Sequence, residues 1–139
     1  MDSCLFCRII RGDLPAKKVY EDDHTFAFED IQPQGPTHVL VVPKKHLRGL
    51  KEAEPEDAEL LGHCQLVAAQ IARERGIEDG YRTILNVGPG AGQTVFHLHL
   101  HVGLGNRANP RNRIAESSWG YAQKHFDPIL CRRCFSHGV

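Results

Sequence analysis

The sequence predicts an α+β fold: an antiparallel five-stranded sheet carrying one long helix, with a short helix at the N-terminus. Three observations point there. A single long amphipathic run occupies 54–76. Around it stand five short runs rich in β-branched and aromatic residues. The turns between neighbouring runs are tight, which favours an antiparallel meander over alternating crossover units.

Each element has its own signal. The apolar stretch within MDSCLFCRIIRGD reads as the short first helix. KKVYED (17–22) and HTFAFED (24–30) read as two strands turning at Asp22–Asp23. IQPQGP (31–36) is a loop, and THVLVVPK (37–44) is a β-branched run closed by Pro43. In the long helix Pro55 suits the first turn, and Glu56 and Asp57 favour its positive end. Leu60, Cys64, Val67, Ala68 and Ile71 recur at helical spacing, and Gly76 is a natural stop. YRTILNV (81–87) and QTVFHLHLHV (93–102) are the last two strands. The tail beyond Gly103 is polar and irregular, with NRANPRNR as a surface loop, so 1–103 forms the domain core and 104–139 an extension of it.

The bulk numbers exclude several function classes. A chain of 139 residues fits one domain with a real core. Seventeen basic residues balance seventeen acidic ones, so no overall field favours DNA, RNA or an anionic membrane. No apolar run approaches the ~20 residues that cross a bilayer. Asp2 and the arginines within the N-terminal stretch make a poor signal peptide, so the expected compartment is the cytoplasm, with access to the nucleus. There the five cysteines serve as thiols or metal ligands rather than disulfides.

Three histidines alternate in the last strand: His97, His99 and His101. In a strand they share one face, roughly 6.5–7 Å apart, while Phe96, Leu98, Leu100 and Val102 take the other and pack on the helix. A solvated face would be served equally well by Lys, Thr or Glu. Three imidazoles in a row therefore suggest a metal site, or an anion site with one ring as nucleophile and its neighbours as donors. Ligands spaced along one strand converge poorly on a metal. The preceding NVGPGAGQTV (86–95) favours the anion, because Gly88, Gly90 and Gly92 let backbone N–H groups approach a phosphate. It is not a P-loop, since it lacks the Gly-Lys-Ser/Thr ending and leads into a strand.

The segment from Gln93 to Val102 resembles the His-φ-His-φ-His-φ-φ motif of the histidine-triad (HIT) superfamily, where φ is apolar. The resemblance extends through 15–47 and 80–93, and covers the chain from about Cys4 to Gly103. It is strongest to the histidine-triad nucleotide-binding (Hint) branch. That resemblance implies binding of a purine nucleoside monophosphate and cleavage of a bond from its α-phosphorus to a leaving group, as in nucleoside phosphoramidates and aminoacyl-adenylates. His99 would be the nucleophile, forming a covalent nucleotidyl-histidine. His101 would donate to a phosphate oxygen, Thr94 would contact the phosphate or leaving group, and His38 would orient the triad. Asp30 maps to a ribose-binding acid, whose two oxygens suit a vicinal diol. Asn86, Gly92 and Gln93 map to the sugar–phosphate region, and Leu5, Phe6, Ile9, Phe28 and Ile31 to the base pocket. Without the resemblance, those five apolar residues are simply core. The resemblance also implies a homodimer pairing the long helix and a sheet edge across a two-fold axis, and no organic cofactor. His24, His63, His125 and His137 read as surface or capping residues, and Cys64 as core.

Cys4 and Cys7 have the two-residue gap of a zinc knuckle but supply only two thiolates. The resemblance completes the set with His46 and His97, giving a closed structural zinc site. A Cys4–Cys7–Cys131–Cys134 site joining the termini, and cysteines that bind no metal, are the alternatives. Two departures from the Hint pattern stand out. Thr94 replaces the usual serine, and QTV is the form found in dinucleoside-polyphosphate hydrolases of the fragile-histidine-triad branch. Trp119 lies later than the Hint tryptophan, and the chain runs on to Val139. The competing expectations are thus a dinucleoside-polyphosphate hydrolase, or a zinc-stabilised nucleotide-binding scaffold without physiological turnover.

Overall fold

The computed structural model of the protein describes residues 3–103. Helix α1 (Leu5–Ile10) precedes strands β1 (Lys18–Glu21), β2 (Thr25–Glu29) and β3 (His38–Pro43). Helix α2 (Ala58–Glu74) follows, then β4 (Arg82–Ile84) and β5 (Leu100–Gly103). Short 3₁₀ turns occupy Leu50–Glu52, Pro55–Asp57 and Pro89–Ala91. None of the described helices is long and apolar enough to cross a membrane.

The strands form one antiparallel sheet in the order β1-β2-β3-β5-β4. The first three strands make the expected meander. The last two do not, because β5 inserts between β3 and β4. Burial explains the order: β3 is buried along its whole length and β5 along most of its own, so both take the centre. The three half-buried residues of β4 suit an edge.

Side chains alternate across the sheet, and the alternation makes two cores. Ala27, Val39, Val41, Leu100 and Val102 pack against Cys64, Val67, Ala68 and Ile71 of α2. Phe26, Phe28, Leu40 and Val42 face the other way, against Phe6 and Ile9 of α1. The expected stripe of α2 is thus its buried face. The helix begins at Ala58 rather than 54, because Pro55–Asp57 form a 3₁₀ turn whose Asp57 carboxylate accepts the Glu54 N–H at 2.9 Å. It ends in a Schellman motif: Ile77 N–H bonds the Ala72 carbonyl and Gly76 N–H the Arg73 carbonyl, with Gly76 at φ +68°.

The strand expected over 93–102 is shorter than its pattern suggests. Ladder pairing starts only at Leu100, so His97 and His99 precede the strand and His101 alone lies in it. Tertiary hydrogen bonds divert 93–99: Leu98 N–H reaches the Leu47 carbonyl at 2.6 Å, and His97 Nε2 meets the Pro43 carbonyl at 2.8 Å. Phe96 consequently does not pack on the helix. It is 39% exposed, with the Arg48 guanidinium 5.1 Å over its ring. The three histidines nevertheless stay on the α1 side of the sheet: Phe6 stands edge-on to His97 and His99, and the His99 ring lies 4.9 Å from that of His101.

Candidate functional site

A cavity of about 460 Å³ opens on the α1 side of the sheet. Register explains part of its floor: Leu40, His101 and Ile84 lie side by side across β3, β5 and β4. Part of the lining is apolar. Phe6, Ile9 and Phe28 form its buried wall, while Leu5 and Ile31 stand at the mouth, Ile31 being 82% exposed. An isoleucine so exposed at a cavity mouth is poorly explained as core. The polar part of the lining comprises Asp30, His38, Asn86, Gly92, Thr94, His99 and His101. Leu40, Ile84, Val95, Gln32 and Gln34 also line it, and sequence reading had not singled them out. Strand register would have revealed Leu40 and Ile84; no local signal marked the others.

Hydrogen bonding sets the histidine tautomers. Nδ1 of His99 lies 2.7 Å from the carbonyl oxygen of His97. A carbonyl only accepts, so the ring proton sits on Nδ1 and Nε2 keeps its lone pair. Gln34 donates its backbone N–H to Nδ1 of His38 at 3.1 Å, placing that ring's proton on Nε2. This N–H faces Nδ1 of His101 at 2.9 Å, with an Asp30 oxygen at 3.4 Å. His101 thus accepts at Nδ1 and carries its own proton on Nε2. Asp30, His38 and His101 also cluster closely enough to suggest a cation site. The Gln34 bond argues against it, because His38 then turns an N–H rather than a lone pair towards the cluster.

Burial keeps these rings neutral at pH 7. It draws His99 below the usual imidazole range, against the His97 carbonyl and the Asp30 charge. It takes His101 to about 4, helped by His99 and His38. His38 is lowered by burial, opposed by Asp30 and Glu29.

The loop before the triad contains two glycines with positive φ, Gly88 at +82° and Gly92 at +89°, which bracket the 3₁₀ turn. Gln93 was expected to touch nucleotide, but it does not line the cavity. The residue is 5% exposed, and its side chain points into the backbone of its own loop and of Arg48. The amide oxygen accepts the Gly88 N–H at 2.9 Å, and the NH₂ donates to the Arg48 carbonyl at 2.6 Å and the Val95 carbonyl at 3.1 Å. A glutamine can close three such bonds at once, so here it pins the loop.

A second cluster lies beneath α1. The side chain of His97 is fully buried, and its Nε2–H donates to the Pro43 carbonyl, which leaves Nδ1 bare. That atom lies 3.5 Å from both Cys4 Sγ and Cys7 Sγ and 3.2 Å from His46 Nδ1, and Cys7 Sγ stands 3.3 Å from His46 Nδ1. Donors bound at about 2.0–2.3 Å to a tetrahedral ion stand about 3.3–3.8 Å apart, so the set fits one four-coordinate cation. Burial and the neighbouring Cys4 push the Cys7 thiol up, and a cation reverses this by deprotonating the sulfur it binds. Cys131, Cys134, Trp119, His125 and His137 lie outside the described residues. On the opposite side of the sheet His63 is tied to Asp22 at 2.6 Å, and His24 donates its backbone N–H to the same carboxylate.

Comparison with known proteins agrees with this geometry. The HIT domain family matches residues 11–108. A HIT family hydrolase of Legionella pneumophila is 42% identical, with a TM-score of 0.74, over 78% of this chain and 97% of that one. A histidine triad nucleotide-binding protein of Candida albicans is 28% identical, with a TM-score of 0.69, over 94% of this chain and 99% of that one. A 14 kDa zinc-binding protein of Zea mays is 46% identical over 105 residues, 74% of this chain and 81% of that protein. With the triad, the glycine loop and the five-stranded sheet in place, the chain belongs to the HIT family of histidine-triad proteins.

Proposed function

We propose that the protein hydrolyses purine nucleoside 5′-phosphoramidates or aminoacyl-adenylates through a nucleotide bonded covalently to His99. The observation that carries this reading is the His99 tautomer: a neutral ring lining the cavity, with Nδ1–H anchored and Nε2 free to attack. The base sits between the apolar walls with Leu5 and Ile31 at the mouth, and Asp30 accepts from the ribose hydroxyls.

His99 Nε2 attacks the α-phosphorus while the bond to the leaving group breaks. Positive charge develops on the ring, and the His97 carbonyl stabilises it through Nδ1–H. His101 donates Nε2–H to a non-bridging phosphate oxygen, held in that tautomer by His38. Thr94 offers its hydroxyl towards the phosphate or the departing group. Water then cleaves the phosphorus–nitrogen bond, releasing the monophosphate and restoring the neutral ring.

Zinc is the metal this reading assigns to Cys4, Cys7, His46 and His97. Two thiolates and two imidazoles suit it, and the name of the maize relative supports it. Four protein donors leave no open position, so the metal is structural. Threonine at 94 favours a second reading, hydrolysis of dinucleoside polyphosphates, and relative turnover of diadenosine polyphosphate and adenosine phosphoramidate decides between them.

The primary test is rapid-quench intact-mass spectrometry with adenosine phosphoramidate. Wild type should show a transient adenylate adduct that His99→Ala lacks. Bound nucleotide with neither adduct nor turnover would replace the enzyme with a nucleotide-binding scaffold.

A further inference from the structure

We infer that occupancy of the Cys4–Cys7–His46–His97 site controls nucleotide affinity, because α1 contributes to both that site and the nucleotide cavity, and His97 of the site is bonded through its carbonyl to His99 of the cavity. The inference rests on the proposed function above.

Helix α1 has six residues, far short of the ~12–15 a helix needs to persist alone. Cys4, at its N-cap, and Cys7 turn towards the metal donors, whereas Leu5, Phe6 and Ile9 line the cavity. The tether that places the two sulfurs therefore also places the apolar wall against which a base would rest. Without it, apolar packing of Phe6, Ile9 and Ile10, with Leu14 just beyond the helix, is left to hold α1 in register.

His97 is the second link, and it is held at three points. Nδ1 faces the metal donors, Nε2 donates to the Pro43 carbonyl, and its own carbonyl accepts from His99 Nδ1. Phe6 joins the links, its ring standing edge-on to His97 at 6.0 Å and to His99 at 5.1 Å. His97 and Phe6 are therefore positioning residues for His99. A shift of His97 moves the carbonyl that sets the nucleophile's tautomer.

The test compares zinc-loaded protein with protein stripped by a chelator, reading AMP affinity by calorimetry and backbone protection by hydrogen exchange. AMP affinity should fall on the order of tenfold on zinc removal, within the usual range of coupling between sites. Exchange should quicken in α1 while α2 stays protected. Linkage is reciprocal, so AMP should raise zinc affinity by the same factor in competition with a chromogenic chelator. His46→Ala, which removes a donor that does not line the cavity, should reproduce the loss, and His46→Cys should restore it. Equal AMP affinity with and without zinc would overturn the inference, as would loss of α2 protection, which would make the metal a global staple. Failure of the zinc-loaded protein to bind AMP at all would remove the proposed function as well, whereas absent coupling with AMP binding intact removes this inference alone.

Discussion

Gln93→Glu distinguishes a nucleotide contact from a loop pin with almost no change in shape. The carboxylate keeps one oxygen facing the Gly88 N–H, but sets the other where the NH₂ group donated to the Arg48 and Val95 carbonyls. Two hydrogen bonds of about 0.5–1.5 kcal/mol each are lost. A negative charge also comes to face two carbonyl dipoles at a position only 5% exposed. Burial and repulsion raise the folded-state pKa of the new carboxyl above the ~4.3 of free glutamate. Because the folded pKa is the higher one, the electrostatic penalty is absent below the unfolded value. It grows as pH rises towards the folded value, by up to about 1.4 kcal/mol per unit. We expect a destabilisation of about 2–4 kcal/mol near pH 7.5 and about 1–2 kcal/mol near pH 4.5. Urea unfolding of variant and wild type at both pH values measures it, with equal m-values confirming a comparable transition. A variant within ~0.5 kcal/mol of wild type at the higher pH, yet unable to bind AMP, would refute the pin and return Gln93 to the nucleotide.

Two further outcomes test other parts of the site. Asp30→Ala should weaken AMP binding by about 1–3 kcal/mol but leave 2′,3′-dideoxy-AMP unaffected, since the carboxylate contributes only where ribose hydroxyls can donate; equal losses for both ligands would end the ribose assignment. His101, held at about 4, binds fewer protons in the folded state than in the unfolded one between that value and ~6.5. Stability should therefore be fully present above ~6.5 and fall as pH drops towards about 4. Denaturation of wild type and His101→Leu across that window reads the effect as a shallower slope in the variant.

The legible part of the fold was local. Helical spacing from Leu60 to Ile71 identified the buried face of α2, and Gly76 marked its stop, because a helix fixes which side chains are neighbours within a few residues. β-branched runs located β2 and β3 to within a residue or two. Residue chemistry singled out the triad, and the resemblance added Asp30 and the two metal-donor histidines, which the structure brings to the cavity and the four-donor cluster. Ladder pairing did not follow Gln93 until Leu100. The pattern of apolar and histidine residues continued, while hydrogen bonds to Leu47, Arg48 and Pro43, some fifty residues earlier, drew the segment out of the ladder.

By itself the sequence determined the order of the elements, the apolar face of the long helix and the chemical groups available. Tertiary structure alone decided that β5 lies between β3 and β4, that Gln93 serves the loop, and that Ile31 stands exposed at the cavity mouth. It alone sent His97 towards two cysteines and left His99 with a free Nε2. The reason is physical. Periodicity encodes which face a side chain takes within its own element, whereas strand order and ring tautomer depend on hydrogen-bond partners supplied by distant backbone, and no local pattern records them.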